Sequence, residues 1–225
     1  MESLRSSLNH QQTELAETLH RPGAFAPAVQ LFLRHHAMLH SARIAEPAQW
    51  SFEDELLNGL AEEQMRRIPP NGEHSIAWNI WHLARIEDVA MNLLVAGSPQ
   101  VLQTGAWLEQ MKITLRHTGN EMDLAGVEQL SAAIDLPALR AYRVEVGRRT
   151  RQVVQQLQPE QLNQAVDPQC LQQVLAQGAV TEAAGYIVDY WGRKTIAGLL
   201  LMPATRHNIV HLNECLRLKK SATPA

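Results

Sequence analysis

The 225-residue sequence specifies an all-α protein. Three observations carry that reading. Long β-branched alternations are missing, no Asn-Gly hairpin joins two apolar runs, and apolar residues recur at helical spacing along most of the chain. Apolar residues make up 45% and charged residues 19%, the balance of an ordinary globular chain able to bury a sizeable core.

The first stripe is Leu4, Leu8, Leu15 and Leu19, closed by Arg21-Pro22-Gly23. Residues 1–24 read as an N-terminal amphipathic helical extension, and 25–225 as a helical-bundle domain. A second helix is expected from Pro27 to Ile44, with proline in its first turn. Ser51 is placed to cap a helix from Phe52 to about Arg67 that ends at Pro69-Pro70-Asn71-Gly72. Asn58-Gly59 falls inside that helical pattern.

Ser75 caps the clearest helix, which runs to Gly97-Ser98-Pro99. At about 100° per residue, Ile76, Ile80, Leu83, Ala90 and Leu94 share one side, and Trp78, Val89 and Leu93 the other. A helix apolar on both sides is enclosed. From Gln100 to Asp135 the pattern breaks, with turns at Gly105 and Gly119, as in a decorated crossover. Asp135 then caps a helix from Pro137 to about Leu157. Gln152 to Gln177 is polar and partly irregular. One helix is expected from about Thr181 to Leu201, and Pro203 is expected to begin the last, which ends near Lys219-Lys220.

Composition excludes several classes of function. A net charge of −3 and a pI near 6.4 give no basic excess for nucleic acid or an anionic membrane. The most apolar stretch, Ala179 to Met202, holds Glu182, Asp189, Arg193 and Lys194, which argues against a membrane span. Cys170 and Cys215 match no zinc or redox motif. The N-terminus carries Glu2, Glu14 and Glu17 and does not read as a signal peptide, so the cytoplasm is the expected compartment. A Gly-rich phosphate loop and a GxSxG elbow are both missing.

The chemistry-bearing pattern is histidine. His207 and His211 stand four apart, so both imidazoles leave one face of the last helix, with Glu214 on the same stripe. Two imidazoles at that spacing can share one metal ion. An isolated HxxxH is more often a solvated face, and Ile209, Leu212 and Leu216 form an apolar stripe opposite. His36 and His40, with His35 beside them, have the same spacing and are an equal candidate by spacing alone. What separates the two is a third donor: His82 points inward from the enclosed helix.

At these residues the sequence resembles a known family. The run Ser75-Ile76-Ala77-Trp78-Asn79-Ile80-Trp81-His82-Leu83-Ala84-Arg85-Ile86-Glu87-Asp88 is similar to the second-helix signature of the DinB-like (damage-inducible) superfamily, and Arg206-His207…His211-Leu212…Glu214 to its closing motif. The resemblance runs from about Leu56 to Leu94 and from about Tyr142 to Arg217. It implies a four-helix bundle with a long crossover connection, here with extra N-terminal and mid-chain helices. It implies one divalent metal ion on His82, His207 and His211, and frequent dimers. It also implies a kinship with thiol-dependent transferases and isomerases.

The expected function is therefore that of a metal-dependent enzyme of the thiol-dependent transferase, isomerase or hydrolase type acting on a small molecule. Zinc or nickel is the expected ion, with iron and copper suited to the same ligands, and a low-molecular-weight thiol is the implied co-reactant. Glu214 is expected to orient an imidazole or accept a proton. Arg85 either holds an anionic substrate or thiol carboxylate or, at least as readily, pairs with a Glu or Asp inside the bundle. Trp78 walls the pocket or, as aromatics at helical spacing more often do, packs in the core. Tyr142, Tyr186, Tyr190 and Trp191 read as core, His74 and His117 as surface, and Cys215 as a structural thiol. The rival readings are a non-catalytic metal-binding or interaction bundle, and a metal-free bundle that binds a partner through the Leu4-Leu8-Leu15-Leu19 stripe. A homodimer is the expected assembly.

Overall fold

The computed structural model describes residues 2–70 and 74–221, with side chains from residue 6 onward in the first helix. Its helices are α1 (Glu2–Leu19), α2 (Phe25–Leu39), α3 (Phe52–Leu57), α4 (Glu62–Arg66), α5 (Ile76–Asp88), α6 (Val101–Thr104), α7 (Trp107–Gln110), α8 (Leu124–Ala133), α9 (Leu136–Gln156), α10 (Pro168–Ala176), α11 (Tyr186–Gly192), α12 (Ile196–Leu201) and α13 (His207–Ser221). The protein is all-α: among the described residues β pairing is limited to one isolated bridge, Ala165 to Thr195. No described helix is long and apolar enough to cross a membrane.

The caps read from the sequence do their work. Ser51 accepts a hydrogen bond from the Asp54 amide, Ser75 from Trp78 and Asp135 from Ala138. Every residue of α5 is buried, which makes it the central helix, packed on α9 and α13. It continues as a π-helix over Val89–Val95 and stops at Gly97, whose φ of +57° favours glycine.

Leu8, Leu15 and Leu19 of α1 are buried within the chain, and α1 packs on α2. The side chain of Leu4 lies outside the described residues. Of the two places where the stripe could bury itself, the chain's own bundle or a partner, the described part takes the first. Around it sits apolar core that includes Phe32, Val153, Val154 and Leu200. A second core region gathers Trp78, Trp81, Tyr142 and Leu212, and a third holds Val89, Leu93, Val174 and Trp191.

Four sequence expectations are corrected. The helix expected from Pro27 to Ile44 spans Phe25–Leu39 and stops at His40, whose backbone is extended at φ −118° and ψ 170°. The helix from Phe52 does not run through Asn58-Gly59: α3 ends at Leu57 and Gly59 takes φ +71°. Its open carbonyl end is met by Lys219 Nζ, which donates to the carbonyls of Leu56 and Asn58, each at 2.7 Å. The helix expected over Thr181–Leu201 is broken before Thr195. There the segment at 162–166 turns back on the chain, and its Gln164 and Leu162 carbonyls accept from the Ile196 and Ala197 amides, while Thr195 Oγ1 caps Gly198. Partners from outside the helix make a restart affordable.

Pro203 does not begin the last helix. It sits in a π-helical turn, Met202–Arg206, that joins α12 to α13. Proline has no N–H to give and crowds the preceding turn, and the wider π turn accommodates both. Side chains add hydrogen bonds to the carbonyls around this turn: Thr205 Oγ1 donates to Leu200 and Leu201, and Asn208 Nδ2 to Ala204.

Candidate metal centre

Three helical positions converge. His82 leaves the middle of α5, and His207 and His211 leave the first turns of α13. Their ligand atoms all lie within 4.8 Å of one another. The ring centroids are 4.9 Å apart for His82–His207, 5.0 Å for His82–His211 and 4.5 Å for His207–His211. His82 is buried, and the other two are half-buried.

Hydrogen bonds fix two of the three imidazoles. His82 Nδ1 lies 2.6 Å from the Thr118 carbonyl oxygen, which can only accept, so Nδ1 carries the proton and Nε2 the lone pair. His211 Nδ1 lies 2.6 Å from Glu214 Oε2 and 2.8 Å from Asn79 Oδ1. Asn79 Nδ2 donates to the Ser75 carbonyl, which turns its oxygen toward His211. Nδ1 is again the protonated nitrogen, and Nε2 again holds the lone pair.

His82 Nε2 is 3.2 Å from His207 Nε2. Two nitrogens bound to one ion at about 2.0–2.1 Å in a tetrahedral arrangement stand roughly 3.2–3.4 Å apart, so the spacing fits a shared ion. Burial, followed by the nearby His211, lowers the His82 pKa to about 3, and burial with the neighbouring imidazoles holds His207 well below the usual histidine range. Neutral imidazoles at neutral pH are the ligand form that a metal needs. For Glu214, burial works against the charged form, and the hydrogen bond and charge of His211 outweigh it, so its pKa is lowered.

The walls are aromatic. Trp78 stacks on His82 at 4.6 Å and 13°, and His74 stacks on Trp78 at 3.7 Å and 20°. His74 is therefore half-buried packing against the site rather than a free surface residue, and burial lowers its pKa. His117 also packs, meeting the edge of Trp81. Cys215 is fully buried, and burial pushes its thiol pKa up, which keeps it an inert thiol.

Arg85 stands apart from the three histidines' hydrogen bonds. It is fully buried, and its guanidinium donates to Asp88 Oδ2, Tyr142 Oη, Gln100 Oε1 and the Arg116 carbonyl. Asp88 in turn accepts from the Val101 and Leu102 amides and from Tyr142. This network fastens the start of the crossover to α5 and α9. All its donors being engaged, Arg85 is a structural cation here, and the expectation that it holds an anionic ligand gives way.

The rival HxxxH also finds partners. His36 Nε2 is 2.8 Å from Glu87 Oε1, and His40 Nε2 is 2.8 Å from Glu87 Oε2, with all three residues fully buried. His35 turns the other way, toward Gln11 and Gln12 of α1. Sequence reasoning missed Glu87, although a carboxylate in a helix apolar on both sides was the available signal. It also missed Asn79 and Thr118. Thr118 acts through a main-chain carbonyl, which no residue type advertises.

The chain was compared with known proteins. No curated protein matches it. A family model described as the DinB superfamily matches residues 47–215, more than half of the chain.

Proposed function

The chain belongs to the DinB superfamily, and we propose that it is a metal-dependent enzyme that activates a low-molecular-weight thiol or a water toward a small electrophilic substrate. The observation that carries this reading is the pair of pinned tautomers. The Nε2 lone pairs of His82 and His211 are held free by fixed acceptors on their Nδ1 sides, next to the third imidazole. Such preorganisation serves a cation better than it serves a solvated helix face.

A divalent ion held by three neutral imidazoles keeps its charge and open positions, and supplies Lewis acidity that favours a deprotonated thiol or water. The protein's own groups set the rest. Glu214 holds the His211 proton and, at 31% side-chain exposure beside a His211 that is 16% exposed, gives the site a side that faces solvent. A small substrate enters on that side. Glu214 is also the carboxylate best placed to take up a proton there. Trp78, flat against His82 and edge-on to His211, is buried and keeps water from the faces of the imidazoles that it covers. The candidate ions are those suited to imidazole: zinc, nickel, iron or copper.

The test is metal-dependent turnover of electrophilic substrates with a panel of small thiols. Activity that follows bound metal and is lost in His82→Ala supports the enzyme. Stoichiometric metal with no turnover and no thiol binding would instead favour a non-catalytic metal-binding bundle.

A further inference from the structure

We propose that His36, His40 and Glu87 form a second divalent-cation site, closed to solvent and distinct from the His82, His207 and His211 centre. Two helices meet at this cluster. His36 lies in the last turn of α2 and His40 directly follows the helix end in extended conformation, their ring centroids are 4.3 Å apart, and Glu87 faces them from α5. Each carboxylate oxygen meets one Nε2 at 2.8 Å. Two ligand atoms held at about 2.05–2.1 Å and at right angles on one ion stand roughly 2.9–3.0 Å apart, so the three groups are spaced nearly as adjacent ligands of an octahedral ion.

Charge points the same way. An ionised carboxylate removed from water needs a positive partner. Glu87 has two imidazoles and, at 3.3 Å, the Asn208 amide. The guanidinium of Arg143, which reaches the Asn208 Oδ1 atom, is paired with Glu53. A +2 ion between two neutral imidazoles and one carboxylate supplies the missing cation. In the metal-free cluster each Nε2 turns its proton toward a Glu87 oxygen, and the Nδ1 atoms of His36 and His40, having no hydrogen-bond partner, leave each ring free to carry its proton there when a cation takes Nε2. The packing also makes room for the rings: a Cβ at Gly147 of α9 would stand 2.8 Å from His40 Nδ1. Two imidazoles and a carboxylate suit zinc, iron(II), nickel or manganese.

With all three groups at 0% exposure, the ion would fasten α2 to α5 and exchange slowly, because release requires the helices to part. The experiment uses tag-free full-length protein made in zinc-supplemented medium, desalted and assayed for zinc. Two equivalents are expected in wild type, and one each in His211→Ala and Glu87→Gln. On adding a chelator, wild type should release one equivalent quickly and one slowly, with His211→Ala showing the slow phase alone. Zinc-free His211→Ala would overturn the proposal and leave a hydrogen-bonded His-Glu-His cluster. An undiminished two equivalents in Glu87→Gln would overturn it as well. If Glu87→Gln does not fold, the zinc content of His211→Ala decides.

Discussion

The two HxxxH motifs have the same spacing and opposite surroundings. On α13, His207 and His211 face His82 beside a solvent-reached edge, and the Nδ1 atoms of His82 and His211 are tied down by Thr118, Asn79 and Glu214. At the C-terminal end of α2, His36 and the following His40 meet a carboxylate in full burial with both Nδ1 atoms unpartnered. The first arrangement has neutral ligands, held orientations and access, which is what a reactive centre needs. The second has a charged ligand and no access, which is what a fastening between helices needs. Spacing along a helix thus nominates ligands, and the groups arriving from other elements decide what the ligands are for.

Acid should break both regions, and it is the largest expected effect. In metal-free protein, burial lowers the pKa of both His40 and His82 to about 3. Unfolded imidazoles protonate below about 6.5. Between those values the unfolded chain binds more protons, so the stability from each group is present above about pH 6.5 and is lost as pH falls toward 3. At about 1.4 kcal/mol per pKa unit, the loss is several kcal/mol. Denaturant melts at pH 7 and pH 4.5 check it, and equal midpoints at the two values would contradict it.

Next in size is the ligand itself. His211→Ala should weaken metal binding at the α13 centre by more than about 100-fold, beyond what loss of an outer hydrogen-bonding partner costs. Its helical circular dichroism should stay unchanged. The same loss in His40→Ala, with His211→Ala unaffected, would reverse the roles given to the two motifs.

Two glycines sharpen the contrast. At Gly119, φ is +90° and a Cβ would stand 2.6 Å from Trp81 Cζ3, next to the Thr118 carbonyl that holds His82. Gly119→Ala should lower both stability and metal affinity at the α13 centre. Gly147→Ala presses on His40 instead and should cost about 1–3 kcal/mol of stability while leaving that centre's affinity alone. Thermal melts and metal titrations of the pair separate the two outcomes. The smallest effect is expected of Glu214→Gln, which keeps an acceptor on His211 but removes its charge. A loss of about 10-fold in metal affinity is expected, the low end for an outer partner. A titration indistinguishable from wild type would leave Glu214 no part in orienting His211.

Much of this was legible in the sequence because it is local. Helical periodicity, the caps at Ser51, Ser75 and Asp135, and the stop at Gly97 depend on residues a few positions apart. The breaks that were not legible depend on distant partners. Lys219 closes the end of α3, and the 162–166 segment supplies acceptors to the start of α12. The site divides the same way. His82, His207 and His211 could be named, because imidazoles at helical spacing, an inward-facing histidine on an enclosed helix and the resemblance to a metal-binding family are all visible in a sequence. Glu87 is joined to His36 and His40 across 51 and 47 residues, and Thr118 reaches His82 across 36 with a backbone oxygen. For Arg85 the sequence leaves two readings open, an anionic ligand and an ion pair inside the bundle, because a helical position does not show which acceptors other elements bring. The structure gives it Asp88, one turn along its own helix, and Tyr142 on α9.

The most direct test of the α13 centre is cobalt(II) substitution followed by visible absorption, in wild type and His211→Ala. The account predicts intense ligand-field bands in wild type that reach full height at the α13 centre's stoichiometry, shift when a small thiol is added, and vanish in His211→Ala. Intense bands that persist undiminished in His211→Ala and do not respond to thiol, as distinct from the weak absorption of six-coordinate cobalt at His36, His40 and Glu87, would contradict a reactive metal centre on His82, His207 and His211.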